Sequence, residues 1–266
     1  MLTIAENINV MNRNIGAAME AQDKGPVQDL ALRCAAAGAD ILDINLGPAR
    51  KDGAGKMRFM VDAVSEVSRL QLSLDTTNAV AMEAGILRCA ELGLPKPLVN
   101  SFSAQSDKME NILPLAAKYG CEIIGLTMGQ AVPIDANERL ALAYELVTAA
   151  NELGIPNERI YIDPILIPLG LDTGQQHAEA VQEVLRTLSQ MFDPPVKTTC
   201  GLSNVSNGAP TELRSVINCV FAAMIAALGM SSAILDVLDK ETMRTIRLLA
   251  AFTGQRLFSV SDAELG

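Results

Sequence analysis

Carboxylates and amides recur along this chain in short clusters, each at the end of a β-branched or apolar run. They are Asp43-Ile44-Asn45, Leu74-Asp75-Thr76-Thr77-Asn78, Val99-Asn100-Ser101, Tyr161-Ile162-Asp163-Pro164 and Gly201-Leu202-Ser203-Asn204-Val205-Ser206. An ionised carboxylate accepts two N–H bonds side by side, and an asparagine amide offers one donor and one acceptor group. Acids and amides gathered in one place therefore suit a flat heterocycle with adjacent N–H donors and ring acceptors. Two other uses compete. Oxygen ligands alone can hold a hard cation, and Asp, Asn or Ser after a strand often caps the next helix. Capping accounts well for any one of these residues and poorly for all of them together.

Nitrogen- or sulfur-rich metal chemistry has little to draw on. The only histidine is His177, in Gly174-Gln175-Gln176-His177, where it reads as a polar residue at a helix start. Cys34, Cys89, Cys121, Cys200 and Cys219 are widely spaced, form no C-x-x-C pair, and read as buried reduced thiols. No bound metal is expected.

The elements that would position these clusters follow from pattern. Strands are predicted over Leu2–Ile8, Asp40–Leu46, Leu70–Asp75, Pro97–Asn100, Glu122–Thr127, Arg159–Asp163, Lys197–Leu202 and Ala233–Val237, separated by segments of helical periodicity. Met57, Met60, Val61, Val64 and Val67 form one apolar stripe, Leu140, Ala143, Tyr144 and Val147 a second, and Val181, Val184, Leu185 and Leu188 a third. Asp135 with Glu138 marks a helix start, and Gly154-Ile155-Pro156 the stop. Eight strands alternating with helices in 266 residues fit one α/β barrel of roughly 250 residues, so residues 1–266 are expected to form a single domain. Apolar residues are 49% of the chain but aromatics only 3%, so the core is built from Ala, Leu, Ile, Val and Met. Side chains alternate in a strand, so Asp43 and Asn45 share one face and Leu42, Ile44 and Leu46 the other. With helices packed outside, the polar face points into the barrel mouth. Glu6, Asp75, Asn100, Asp163 and Asn204 fall at or near the same strand ends, where barrel active sites are assembled.

The formal net charge of −10 repels a phosphate backbone, which argues against nucleic acid as a partner. Met1-Leu2-Thr3-Ile4-Ala5-Glu6 lacks a basic n-region, and no apolar run is long enough to span a bilayer. The expectation is a soluble cytoplasmic protein without a membrane contact.

A pterin carries the heterocyclic edge that such acids and amides match. Ala5-Glu6-Asn7-Ile8-Asn9, Asp43-Ile44-Asn45-Leu46-Gly47-Pro48 and the four other clusters resemble, in order and spacing, the methyltetrahydrofolate:corrinoid protein methyltransferases. That family is related to the folate domain of cobalamin-dependent methionine synthase and to dihydropteroate synthase. The resemblance covers essentially the whole chain and implies a (β/α)8 TIM barrel of the pterin-binding type. It also implies a homodimer that binds methyltetrahydrofolate or tetrahydrofolate as substrate and works with a separate corrinoid protein. Position by position, Asp75, Asn100 and Asp163 match residues that bind the pterin ring. Asn204 matches the catalytic residue that reaches N5, the nitrogen carrying the methyl group. Asp43 lines the ring site, and Ser203, Asn9, Asn207 and Arg214 are expected at the folate side of the same pocket.

Two features depart from the family pattern. Asn7 stands where relatives often have Arg, and the stretch from Asn207 to Arg214 looks longer than the corresponding loop. The direction of methyl transfer is not set by these residues. A lower-ligand loop Asp-x-His-x-x-Gly cannot be formed around His177, so cobalt is expected on the partner protein. Two rivals stand beside this reading. Dihydropteroate synthase resembles a pattern with Arg-x-His near the last strand, which here reads Ala233-Ile234-Leu235-Asp236-Val237. A non-catalytic folate-binding module would not need an N5 donor.

Overall fold

The computed structural model describes residues 1–264; the expected domain of residues 1–266 extends past these by residues 265 and 266. Eight parallel strands form one sheet: β1 (Leu2–Asn9), β2 (Ile41–Gly47), β3 (Gln71–Thr76), β4 (Leu98–Ser103), β5 (Glu122–Leu126), β6 (Ile160–Asp163), β7 (Lys197–Thr198) and β8 (Ser232–Leu235). The spatial order is β7-β6-β5-β4-β3-β2-β1-β8. The ends meet where Ile234 N–H donates to the Cys200 carbonyl at 2.8 Å and Gly201 bridges Ile234. The result is the expected (β/α)8 TIM barrel. After β1 come helices α1 (Arg13–Ala21) and α2 (Lys24–Ala37); α3 (Gly53–Ser65) and α4 (Ala79–Glu91) follow β2 and β3. After β4 come the short α5 (Ser106–Asn111) and α6 (Leu113–Tyr119). The remaining crossovers are α7 (Ala136–Glu152), α8 (Gly174–Met191), α9 (Thr211–Ala227) and α10 (Lys240–Phe252).

Period-2 alternation sorts each strand into two cores. Leu42, Ile44, Leu72 and Leu74 face outward and pack with Met57, Met60 and Val61 of α3, all buried. Ile4, Ile41, Leu98, Ile124 and Tyr161 face inward and form a separate apolar plug across the barrel. On four of these five strands the next inward residue toward the C-terminus is polar, Glu6 after Ile4, Asp43 after Ile41, Asn100 after Leu98 and Asp163 after Tyr161, while β5 continues with Leu126, which packs on the plug. The plug thus seals the floor beneath a polar mouth.

The helix start at Asp135 is realised, its carboxylate accepting from the N–H groups of Asn137 (2.8 Å) and Glu138 (3.1 Å). Some expectations change. The strand predicted over Lys197–Leu202 is only Lys197–Thr198, because the chain then leaves the ladder and winds into a 3-10 turn, Leu202–Ser206. Val67 lies past the end of α3. Tyr144 leaves its apolar stripe: it is 58% exposed and stacks on Phe192, with ring centroids 6.4 Å apart. All described cysteines are free, and only Cys219 is not buried. Among the described residues no helix is long and apolar enough to cross a membrane.

Candidate active site

The strand ends of β2, β3 and β4 carry a hydrogen-bonded polar cluster. Parallel register pairs Asp43 with Ser73, Asn45 with Asp75, and Asp75 with Asn100. Asp43 accepts from the Ser73 hydroxyl and, at 3.1 Å, from the Asn100 amide; Asn45 donates to Asp75. None of these residues caps a helix. The caps of the neighbouring helices are Asp52 and Asn78, so the polar cluster is left to face the mouth. Burial raises the pKa of Asp43, opposed by its bonds from Ser73 and Asn100 and reinforced by the charge of Glu6. Asp75 is likewise raised, first by burial and then by the charge of Asp43, against Lys108 and the Asn45 bond. Two carboxyls this close and this dry resist full ionisation until N–H donors arrive.

Asp163 ends β6. It is buried, accepts from Ile165 N–H at 2.7 Å, and burial pushes its pKa up to about 7 despite that bond and the charge of Arg139. Arg139, in the first turns of α7, is fully buried. Its guanidinium donates to the carbonyls of Pro133 (2.8 Å), Pro164 (2.5 Å) and Ile165 (3.0 Å), and contacts Nδ1 of His177. Burial lowers the pKa of His177, and the Arg139 charge lowers it further. Nδ1 of a neutral imidazole can then accept. His177 is thus a buried brace for the loop after β6, not a solvated polar residue.

The third part is a cavity of about 690 Å³ over β1, β8 and the turn after β7, lined by Glu6, Asn9, Ser203, Asn204, Asn207 and Arg214 among others. Asn204 is exposed, and its side-chain amide has no hydrogen-bond partner among the described residues. The amide lies over Gly201, where an added Cβ would meet its nitrogen at 2.7 Å. Burial raises the pKa of Glu6, countered by a hydrogen bond from Ser203 and supported by the charge of Asp236. Asn7 is committed to the barrel seam: its amide donates to Asp236 at 2.6 Å and its oxygen accepts from Val237 N–H at 3.3 Å.

The expected residues therefore fall into two groups at one end of the barrel. Asp43, Asp75 and Asn100 form the β2–β4 cluster, with Asp163 on β6 beyond it. Asn9, Ser203, Asn204, Asn207 and Arg214 line the cavity. Glu6 joins the two, since it lines the cavity and its charge acts on Asp43. Ser73 and Asp236 belong to the site and were legible from alternation, each lying two residues from an inward neighbour. Arg139 was not: a charge in the first turn of a helix looks solvated until the loop that covers it is known. Among the described residues no three His, Cys, Asp or Glu side chains gather as a metal-binding group.

A barrel with acids and amides on its strand C-termini defines a class of small-molecule enzymes. The chain belongs to the pterin binding enzyme family, whose pattern matches residues 6–236. It is 28% identical over 262 residues to the methylcorrinoid:tetrahydrofolate methyltransferase of Eubacterium limosum, covering 96% of this chain and 92% of that protein. It is 26% identical over 250 residues to methionine synthase of Mycobacterium tuberculosis, covering 88% of this chain but 20% of that much longer protein. Dihydropteroate synthase of Xanthomonas albilineans, solved with 4-aminobenzoic acid, superposes with a TM-score of 0.69 at 19% identity, over 97% of this chain and 94% of that one. This last likeness speaks to the fold.

Proposed function

We propose that this protein, acting as one domain over residues 1–266, moves a methyl group between N5 of tetrahydrofolate and the cobalt of a corrinoid carried by a separate protein. The observation that carries the reading is the exposed amide of Asn204, without a hydrogen-bond partner among the described residues, lining a cavity that Glu6 connects to the largely buried Asp43–Asp75–Asn100 cluster. The likeness to the methylcorrinoid:tetrahydrofolate methyltransferase of Eubacterium limosum supports the same chemistry.

In this reading Asp75, Asn100 and Asp163 hold the pterin edge and Asp43 keeps Asn100 and Ser73 oriented. The N–H donors of the ring edge would satisfy carboxyls that burial otherwise keeps from ionising. Asn204 reaches N5. A tertiary amine cannot lose its methyl group unaided, because nitrogen would leave as an anion; a hydrogen bond or proton at N5 removes that obstacle. Glu6 and Asp236, on the same cavity wall, favour positive charge developing there. The partner's cobalt supplies the methyl acceptor or donor, so the chain needs no nucleophile of its own. Its work is orientation and charge stabilisation. By microscopic reversibility the same residues serve transfer in either direction, and supply of substrates sets the physiological one.

Two further features belong to the proposal. The lateral face of α9 exposes Leu213, Val216, Val220 and Met224, and from Ser215 to Ala227 the helix carries no charge. A corrinoid protein must approach the mouth to reach N5. A side wall this apolar suits instead a permanent contact with a second copy, in a homodimer. We also place the protein in the cytoplasm, where folates and reduced thiols are maintained.

The test mixes the protein with methyltetrahydrofolate and candidate reduced corrinoid proteins and follows cobalt absorbance, then repeats the run from methylated corrinoid with tetrahydrofolate. Methylation or demethylation of one candidate is expected. Tight folate binding without any spectral change would mark a binding module instead. A dihydropteroate synthase activity is disfavoured by the last strand, where Ala233–Val237 offers no Arg-His pair for an anionic leaving group.

A further inference from the structure

The loop after β6 encloses a cation that no acid pairs. Arg139, fully buried on α7, spends its guanidinium on the carbonyls of Pro133, Pro164 and Ile165 and on Nδ1 of His177. None of these partners is a carboxylate. Burying a charge is costly, and apolar packing would serve stability as well, so the cation asks for another role. The acid that acts on it is Asp163, whose charge opposes the fall to about 10 that burial imposes on the pKa of Arg139.

The corner between the two is strained. Ile165 has φ 59°, in the left-handed region that a β-branched residue seldom adopts. Both of its backbone groups are held. Its N–H donates to Oδ1 of Asp163 at 2.7 Å, and its carbonyl accepts from Nη1 of Arg139 at 3.0 Å. The same Nη1 donates to the Pro164 carbonyl at 2.5 Å, so one nitrogen bridges two consecutive carbonyls and fixes the turn between them. Strain of this kind persists only where the surroundings over-determine it, and it gathers at ligand sites. The second oxygen of Asp163 has no hydrogen-bond partner among the described residues and stays available.

We propose that Arg139 is a positioning residue for ring binding: it clamps the Pro164–Ile165 corner so that Asp163 points at the ring edge, and it is the counter-charge that meets Asp163 when ring donors draw it into its carboxylate form. The proposal rests on the folate reading above. Arg139 lies too deep to touch the substrate itself. The other titratable groups around the corner cannot replace it. His177 on α8 sits behind the guanidinium and is held neutral by burial and by the Arg139 charge, and Cys200 after β7 is held protonated by burial and by the charge of Asp163. Lys197, the inward residue of β7, is committed to Glu122 at 2.5 Å.

Calorimetry with tetrahydrofolate and a carbon NMR titration of the Asp163 carboxyl, both on the full chain, test this with R139K, R139Q, I165G and R139K/I165G. Lysine keeps the charge and loses the planar fork. R139K should therefore weaken tetrahydrofolate about tenfold, the scale of one misaimed bond to a charged group, while Asp163 still titrates near its wild-type pH. R139Q should weaken it further and move that titration to higher pH, because the cation that favours the carboxylate is gone. Glycine adopts φ 59° without strain, so adding I165G to R139K should recover part of the lost affinity. If R139Q fails to fold, R139K and its rescue decide alone. An R139K affinity equal to the wild type's, or losses in R139K and I165G that simply add, would overturn the clamp while leaving the ring site intact. A wild type that binds no tetrahydrofolate would bring down the folate reading, and this proposal with it.

Discussion

The proposed transfer asks different things of Asn204 and Asp75. Asn204 is exposed, free, and placed for an atom whose charge changes during reaction, so its bond strengthens in the transition state. Asn204→Ala is expected to lower turnover roughly a hundredfold, as loss of one preorganised donor does, with little change in folate affinity. Asp75 faces ring N–H groups that do not change, so Asp75→Ala should weaken binding about tenfold or more and affect the chemical step less. Stopped-flow methyl transfer beside calorimetry separates the two, and equal losses in both quantities would reduce Asn204 to a ring contact. The buried carboxyls also predict a pH dependence. Burial raises Asp163 from 3.8 to about 7, so the folded protein keeps a proton there that the unfolded chain releases. The stability contributed by that proton is complete at low pH and is lost as pH rises from about 4 to about 7. Pterin N–H donors favour the ionised form. Folate binding should therefore expel protons near pH 6, and affinity should increase from pH 5 to pH 7.5. Titrations in buffers of different ionisation enthalpy would show this, and proton uptake on binding would refute the assignment.

Among the elements, the 3-10 turn after β7 matters most, because it sets where Asn204 points. Gly201 has φ −73°, which any residue can adopt, so its lack of a side chain serves space and not backbone freedom. Gly201→Ala would place a methyl group 2.7 Å from the present position of the Asn204 nitrogen. The flexible amide can swing aside, so the fold should persist while methyl transfer falls toward the level of Asn204→Ala. An unchanged rate with an unchanged melting temperature would show that the amide's position is not needed. The loop after β6 is held differently. Gly174 starts α8 so close to the carbonyls of Pro168 and Leu169 that a Cβ would lie 2.4 and 2.5 Å from their oxygens. That contact is with backbone and cannot yield cheaply. It places His177 against Arg139, whose guanidinium ties the carbonyls that follow Asp163 to Pro133 in the loop before α7. The carboxyl of Asp163 is thus aimed from behind by a buried cation on the preceding helix.

For the whole molecule, the barrel supplies a mouth for substrate and a side wall for assembly. If α9 pairs with its copy, Val220→Glu sets a buried charge against its own symmetry mate, which an interface of roughly 1,600 Å² cannot absorb. Sedimentation should then show a monomer where the wild type is a dimer; a monomeric wild type would end that proposal. The amino-acid sequence by itself determined the barrel, because alternation within strands and helical stripes between them are local periodicities that each segment carries alone. It also determined which strand ends are polar, since Asp43, Asp75, Asn100 and Asp163 follow apolar runs, and it marked Asn204 in the polar stretch after the seventh strand. Only the tertiary structure decided how those ends divide, Asp43, Asp75 and Asn100 into one bonded cluster and Asn204 onto a separate cavity wall joined through Glu6. Only it revealed Arg139, His177 and Asn218 as buried polar groups. Burial and pairing of a side chain depend on residues far away in the chain that fold over it, and no local spacing encodes them.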